Sequence, residues 1–265
     1  MLPSDVALPS DLDAEARTAA ARQLFDELGD KGSVDLVVLA GMDLCVLGGP
    51  RHSMCWEPLA RLWLNQSTAD RDLLTRARTT SLVERGLLIA DPAAPDGEYA
   101  LDPRLGIALV ARAHPVFAIT VGHTPASPPL SLFAIGDEQV PVRGIVVEAP
   151  GRYPAKADEA AAGSPLTVVF SYLLVTPENA AEFLARWAIR PVPASHPFGV
   201  HPPRNVSLFC PPGRPGPAGV KLAVRGDGTM ASVQSPDGSA AEFAGEHDIA
   251  GLAGIGRELI SRGTP

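Results

Sequence analysis

The chain has 265 residues, 46% of them apolar, and a formal net charge of −8. That is enough for one large domain or two modest ones with a sizeable core, and 20% charged residues argue against wholesale disorder. The acidic balance excludes non-specific coating of DNA or of anionic membranes, although a local basic patch is compatible with it.

Only Lys31, Lys156 and Lys221 among the 22 basic residues are lysine. With so much Ala, Gly and Pro this reads as the coding bias of a GC-rich genome. No run reaches the ~20 apolar residues of a membrane span. The acidic N-terminus has neither the basic nor the apolar stretch of a signal peptide. Three cysteines do not make a disulfide framework. A cytoplasmic location is the expectation.

Residues 1–33 form an acidic N-terminal arm. Ser10 and Asp13 can cap a helix over 11–28 whose apolar edge is Leu24, Phe25 and Leu28. It reads as a solvated docking helix, or as an arm for a basic partner. Residues 34–114 form a helical region. The run 34–47 is almost wholly apolar and its length predicts a buried helix. Two more helices follow at 56–64 and 70–86, the second capped by Ser67 and Asp70 and ended at Gly86. A short strand, a polar turn (DPAAPDG) and a second strand come next. Asp102-Pro103 then starts a helix that Pro115 ends.

From 115 the hydrophobic period changes to alternation, and residues 115–265 are predicted to be an antiparallel sheet with helices near 177–188 and 248–262. Ala180, Phe183, Leu184 and Trp187 share a face of the first helix. Pro-rich tracts at 191–217 surround a strand, NVSLF. The C-terminal strands are expected at 220–225, 229–234 and 239–244, turned at Asp227-Gly228 and Pro236-Asp237-Gly238. The last helix contains Gly251, Gly254 and Gly256, each unfavourable by ~1 kcal/mol against Ala, so it must be held by close packing. The fold class is α+β.

Chemistry is harder to find. Cys45, His52 and Cys55 are zinc-type donors, but their spacing matches no standard pair and a fourth ligand is absent nearby. Cys45 also lies in an apolar run, where a free cysteine behaves as a small hydrophobe. His196 and His201, with Cys210 beyond, show no orienting group for a catalytic thiol and read as loop residues. Asp137-Glu138 suits a hairpin turn. Asn205-Val-Ser207 matches a glycosylation sequon without meaning in the cytoplasm. No phosphate loop, nucleophile elbow or zincin motif occurs, so no cofactor, no metal and no catalytic residue is assigned. An enzyme with an unrecognised site is the third of three readings.

The stretch SLVERGLLIADPAAPDGEYALDP (81–103) resembles the recognition-helix-and-wing segment of winged-helix domains, with Leu82, Gly86, Leu87 and Tyr99 in the places of that pattern. The resemblance covers 34–103. It implies a transcription regulator whose DNA-contacting residues would be Arg71, Thr75, Arg76, Arg78 and Thr79, with a C-terminal sensing or dimerisation region. Asp70, Asp72 and Glu84 on the same helix, and Asp91, Asp96 and Glu98 in the wing, oppose contact with phosphate.

The order SLVERGLL, then LDPRLGIALVARAHPVFAITV, a sheet, TPENAAEFLARW and a Pro-rich stretch resembles EspG-type chaperones of actinobacterial type VII secretion, over roughly residues 80–190. That resemblance implies a cytosolic, cofactor-free adaptor or chaperone whose partner is another protein, of the PE–PPE substrate kind. It brings no individual binding residue with it. The sheet and its flanking apolar loops would form the binding surface, with no membrane partner and DNA as the alternative ligand.

Overall fold

A computed structural model describes residues 11–48, 56–90, 99–122, 128–136, 142–152, 168–189, 204–209, 219–224, 229–235, 238 and 240–264. The elements in chain order are α1 (Asp11–Lys31), β1 (Ser33–Ala40), α2 (Gly41–Gly48), α3 (Glu57–Leu64), α4 (Thr68–Glu84), β2 (Leu88–Ala90), β3 (Tyr99–Leu101), α5 (Pro103–Ala113) and β4 (Ala118–Gly122). There follow β5 (Leu130–Ile135), β6 (Gly144–Arg152), β7 (Val168–Val175), α6 (Pro177–Ile189), β8 (Arg204–Phe209), β9 (Gly219–Val224), β10 (Ala231–Gln234), β11 (Gly245–His247) and α7 (Ile249–Gly263). The protein is α+β, as the switch in hydrophobic period predicts.

Among the described residues nine strands form one sheet in the order β1-β7-β6-β5-β4-β8-β9-β10-β11, with every ladder antiparallel. Two four-stranded meanders start side by side at β4 and β8 and run outward in opposite directions. Each ends in a helix, α6 after β7 and α7 after β11. The small β2–β3 ribbon is separate.

The alternation of side chains along each strand gives the sheet two apolar faces. One, with Ile119, Leu132, Val147, Val206, Leu222 and Val233, is covered by α6 and α7. The other, with Val37, Leu39, Phe133, Val146, Phe170 and Leu174, is covered by α1, α2 and α5. Leu24 and Leu28 of α1 are buried there as the apolar edge of that helix predicts, and a side chain in place of Gly144 would meet Leu28 and Phe25.

Local signals hold where capping chemistry fixes them. Ser67 accepts from the Asp70 amide at 3.1 Å, and Asp102 accepts from the Arg104 amide at 2.9 Å with Pro103 at the first helical position. Gly86 has φ +69° and ends α4. The Leu87 amide reaches the Leu82 carbonyl and the Gly86 amide reaches Val83, the paired bonds of a Schellman motif.

Three expectations are corrected. Residues 34–47 are not one buried helix. They split into β1, which pairs with β7, and the short helix α2, so part of the predicted helical region belongs to the sheet. Continuous hydrophobicity marks both a buried helix and a strand packed on both faces, and period alone does not separate them. The strand predicted at 239–244 begins later, at Gly245, because Ala241–Phe243 form a 3-10 turn that buries Phe243. The α6 face is rotated: Ala180, Ala181, Leu184, Ala185 and Ala188 are buried, while Phe183 and Trp187 lie at the flank.

That rotation explains how the glycine-rich α7 is held. Gly256 faces Ala181 so closely that a Cβ would lie 3.2 Å from the Ala181 Cα, and one at Gly263 would lie 2.4 Å from the Phe117 ring. Small residues on both helices permit the approach, and burial of Leu252, Ile255, Leu259 and Ile260 offsets the poor helix propensity.

Candidate interaction surface

The helical layers do not cover the sheet evenly. Helices α1 to α5 precede β4 in the chain, and α1, α2 and α5 lie over the β1–β7–β6–β5 side of their face, with α3 and α4 outside α2. Among the described residues the C-terminal meander brings no counterpart to that face. Its strands bury Val206, Leu208, Val220, Leu222, Ala231 and Val233 beneath α6 and α7, while the alternate residues point to the uncovered side. There Asn205, Lys221 and Gln234 form one row across three strands, and Ala223, Ser232 and Glu246 form another. Ser207 stands beside Thr120, and Phe209 is 47% exposed at the end of β8. Among the described residues the centre of this face holds small or uncharged side chains, with one cation, Lys221. Among the described residues this surface is therefore mixed rather than a continuous apolar patch, with a single aromatic residue.

The opposite end of the sheet is closed differently. Asp43 is 1% exposed and its carboxylate accepts from the Ala40 amide at 2.9 Å. Arg85 lies 3.4 Å and Arg78 3.8 Å from it, and Arg85 also donates to the Val38 carbonyl.

Two further buried charges tie helices to strands. Arg112 of α5 donates to Glu148 of β6 at 2.9 Å, and the Tyr172 hydroxyl of β7 donates to the same carboxylate oxygen at 2.6 Å. Arg204, at the start of β8, donates to the Trp187 carbonyl at 2.6 Å and to the Ala188 carbonyl, capping the C-terminus of α6. These groups are fully enclosed, so they order the fold and offer nothing to a substrate.

Four of the residues singled out for DNA share one half-buried side of α4, and the fifth, Arg76, lies on the other side. Arg71, Thr75, Arg78 and Thr79 are half-buried on the inner side of α4, and Arg78 is turned toward Asp43. Of the five, Arg76 alone is exposed. Cys45 is buried in α2, a hydrophobe by position. His52, Cys55, Asp137, Glu138, His196, His201 and Cys210 lie outside the described residues, as do Ser10 and the turns at 91–97, 227–228 and 236–237. Among the described residues no three His, Cys, Asp or Glu side chains converge as metal ligands, and no helix is long and apolar enough to cross a membrane.

An open groove of about 630 Å³ runs between α6 and the start of α7, lined by Glu182, Arg186, Thr229, Asp248, Ile249 and Arg257 among others. Its charges are of both signs, and Arg186 is paired with Glu182 at 3.5 Å.

No family model matches the chain, and no curated protein or solved structure matches it either.

Proposed function

We propose that this protein is a non-enzymatic, cytoplasmic protein-binding adaptor or chaperone, and that its partner docks on the uncovered face of β8, β9 and β10. One observation carries the reading: among the described residues, a half-sheet has its apolar side packed beneath helices and no helix over its other side, which bears mostly small or polar side chains, with Lys221, beside Phe209. Strands lie ~4.8 Å apart, so three of them present a strip ~10 Å wide, the diameter of one α-helix. Small side chains let a helical segment approach the strands closely. An aromatic residue within a polar surround is the usual composition of a protein interface.

The resemblance in layout to EspG-type chaperones narrows the partner to substrates of the PE–PPE kind, presented to type VII secretion. Coexpression of the chain with PE–PPE pairs from a GC-rich actinobacterial genome tests this. A stoichiometric complex surviving size-exclusion chromatography supports the reading, and free chain with every pair tried removes the secretion assignment.

The alternative is a winged-helix DNA-binding regulator. In its favour, α4 is followed directly by the β2–β3 ribbon, and Arg76 projects from it. A gel-shift assay at two salt concentrations decides: phosphate-driven binding strengthens steeply at low salt, and no retardation at low salt rejects it.

A further inference from the structure

Helix α4 is the least packed of the long elements. It has 17 residues, and Leu82 alone is buried. Arg71, Leu74, Thr75, Arg78, Thr79 and Ser81 make a half-buried inner side. On the outer side Ala69, Leu73, Arg76, Thr80 and Val83 are all exposed, spaced by four, three, four and three residues. That spacing is the seam of a helix that packs lengthwise against another helix. Leu73, at its centre, is 61% exposed, more than any other large hydrophobic residue described.

The seam has a symmetry that selects its occupant. About a point between Leu74 and Thr75, Ala69 mirrors Thr80 and Leu73 mirrors Arg76. The geometry points to an isologous homodimer in which α4 packs antiparallel on α4 of a second copy. In that register Leu73 lies on the aliphatic stem of the second Arg76, and Ala69 faces Thr80. Asp72 comes within one residue's rise (~1.5 Å along the axis) of Arg76 of the second copy, on the same flank. Two-fold symmetry makes this ion pair twice. Glu84 falls opposite Asn65, while the two Arg76 side chains enter adjacent layers, about 4.5 Å apart along the axis, each offset by Asp72 of the other copy. Among the described residues neither Asp72 nor Arg76 has an ion-pair partner within its own chain. One helix pair buries less than the ~1,200 Å² of a standard stable interface, so the dimer is weak, in the micromolar range.

Sedimentation equilibrium of the full chain from ~1 to ~200 µM tests this. The wild type is expected to shift from a 27.7 kDa monomer toward twice that mass. Asp72→Arg and Arg76→Asp each place like charges across the seam and should weaken association at least ~10-fold. Mixed in equal amounts, the two variants should associate again, because the two substituted sites then face each other with opposite charges and the native pair forms at the other end of the seam. Both positions are exposed, so folding is preserved, and the sheet face is untouched. A monomeric wild type at ~200 µM overturns the proposal. So does Asp72→Arg associating as tightly as the wild type, or a mixture no better than the single variants.

Discussion

Arg85 and Asp43 together close the free edge of the sheet. Among the described residues β1 pairs with β7 on one side only. Val38 and Ala40 are two apart, so their peptide groups point the same way, and Ala40 spends its amide on Asp43 rather than on β7. Arg85 supplies a donor to the Val38 carbonyl and Asp43 an acceptor to the Ala40 amide, the roles a tenth strand would fill. The two side chains neutralise each other at 3.4 Å. A bulge between Asp35 and Val37 further interrupts the edge. Proteins blunt exposed edges by such charges and bulges to avoid pairing with other chains.

Removing this closure has a measurable consequence. Asp43→Ala deletes a charge-assisted hydrogen bond and leaves Arg78 and Arg85 without their carboxylate, which should cost about 2–3 kcal/mol. Light scattering at matched fraction folded should rise as well, since the edge is then open. Unchanged stability and scattering in denaturant titrations would show that the pair does not guard the edge.

The buried Arg112–Glu148–Tyr172 group predicts an asymmetry between single and double variants. Glu148→Leu alone strands a buried guanidinium and should destabilise by about 3–5 kcal/mol. The double variant Arg112→Leu/Glu148→Leu removes both charges and should recover most of that loss. Equal losses in urea unfolding would contradict the network as drawn.

Glycines in α7 separate by their surroundings. Gly254 has only the far end of Arg257 within 4 Å, so Gly254→Ala should gain about 0.5–1 kcal/mol of helix propensity. Gly263→Ala drives a methyl group into the Phe117 ring and should cost about 1–3 kcal/mol. Thermal unfolding of the two variants is expected to move in opposite directions.

Acid sensitivity is expected at the C-terminal helix. A hydrogen bond from Arg262 and its positive charge hold the Glu242 carboxyl below its usual range, and Arg262 also lies over the Phe243 ring at 4.9 Å. A depressed carboxyl contributes stability above its unfolded value, near 4.5, and loses it as pH falls through the lower folded value. Glu242→Gln should therefore flatten the acid limb of the stability curve below about pH 4.5 and leave a small constant loss above it. An acid limb identical to the wild type would remove Glu242 from that role.

The parts of the fold readable from sequence are those governed by local chemistry. Ser67, Gly86 and Asp102 announce helix ends because their side chains or backbone freedom act within one turn. The alternation of Val220, Leu222, Ala231 and Val233 announces strands because only one face is packed. β1 is not readable as a strand, since a nearly continuous apolar run with Asp35 and Asp43 inside it fits both periods. The buried charges Asp43, Arg112, Glu148 and Arg204 are invisible for another reason. Their partners lie far along the chain, and the only trace is a charged residue in an apolar register, such as Arg112 seven residues after Leu105. The sheet face that no described helix covers is equally hidden, because it depends on where the helices lie. The order of α4 residues is plain in the sequence, but not which side faces inward, and four of the five residues singled out for DNA face the protein.

The central claim is that a protein partner occupies the bare face of β8, β9 and β10. It is tested most directly by affinity capture from native-host lysate with quantitative mass spectrometry, comparing the wild type with a Ser207→Arg/Ala223→Arg variant. Both substitutions are on exposed or half-exposed positions and should leave stability within about 0.5 kcal/mol. The account predicts a near-stoichiometric partner with the wild type that is depleted at least ~10-fold with the variant. An identical set of captured proteins with both, or no partner with the wild type, would contradict it.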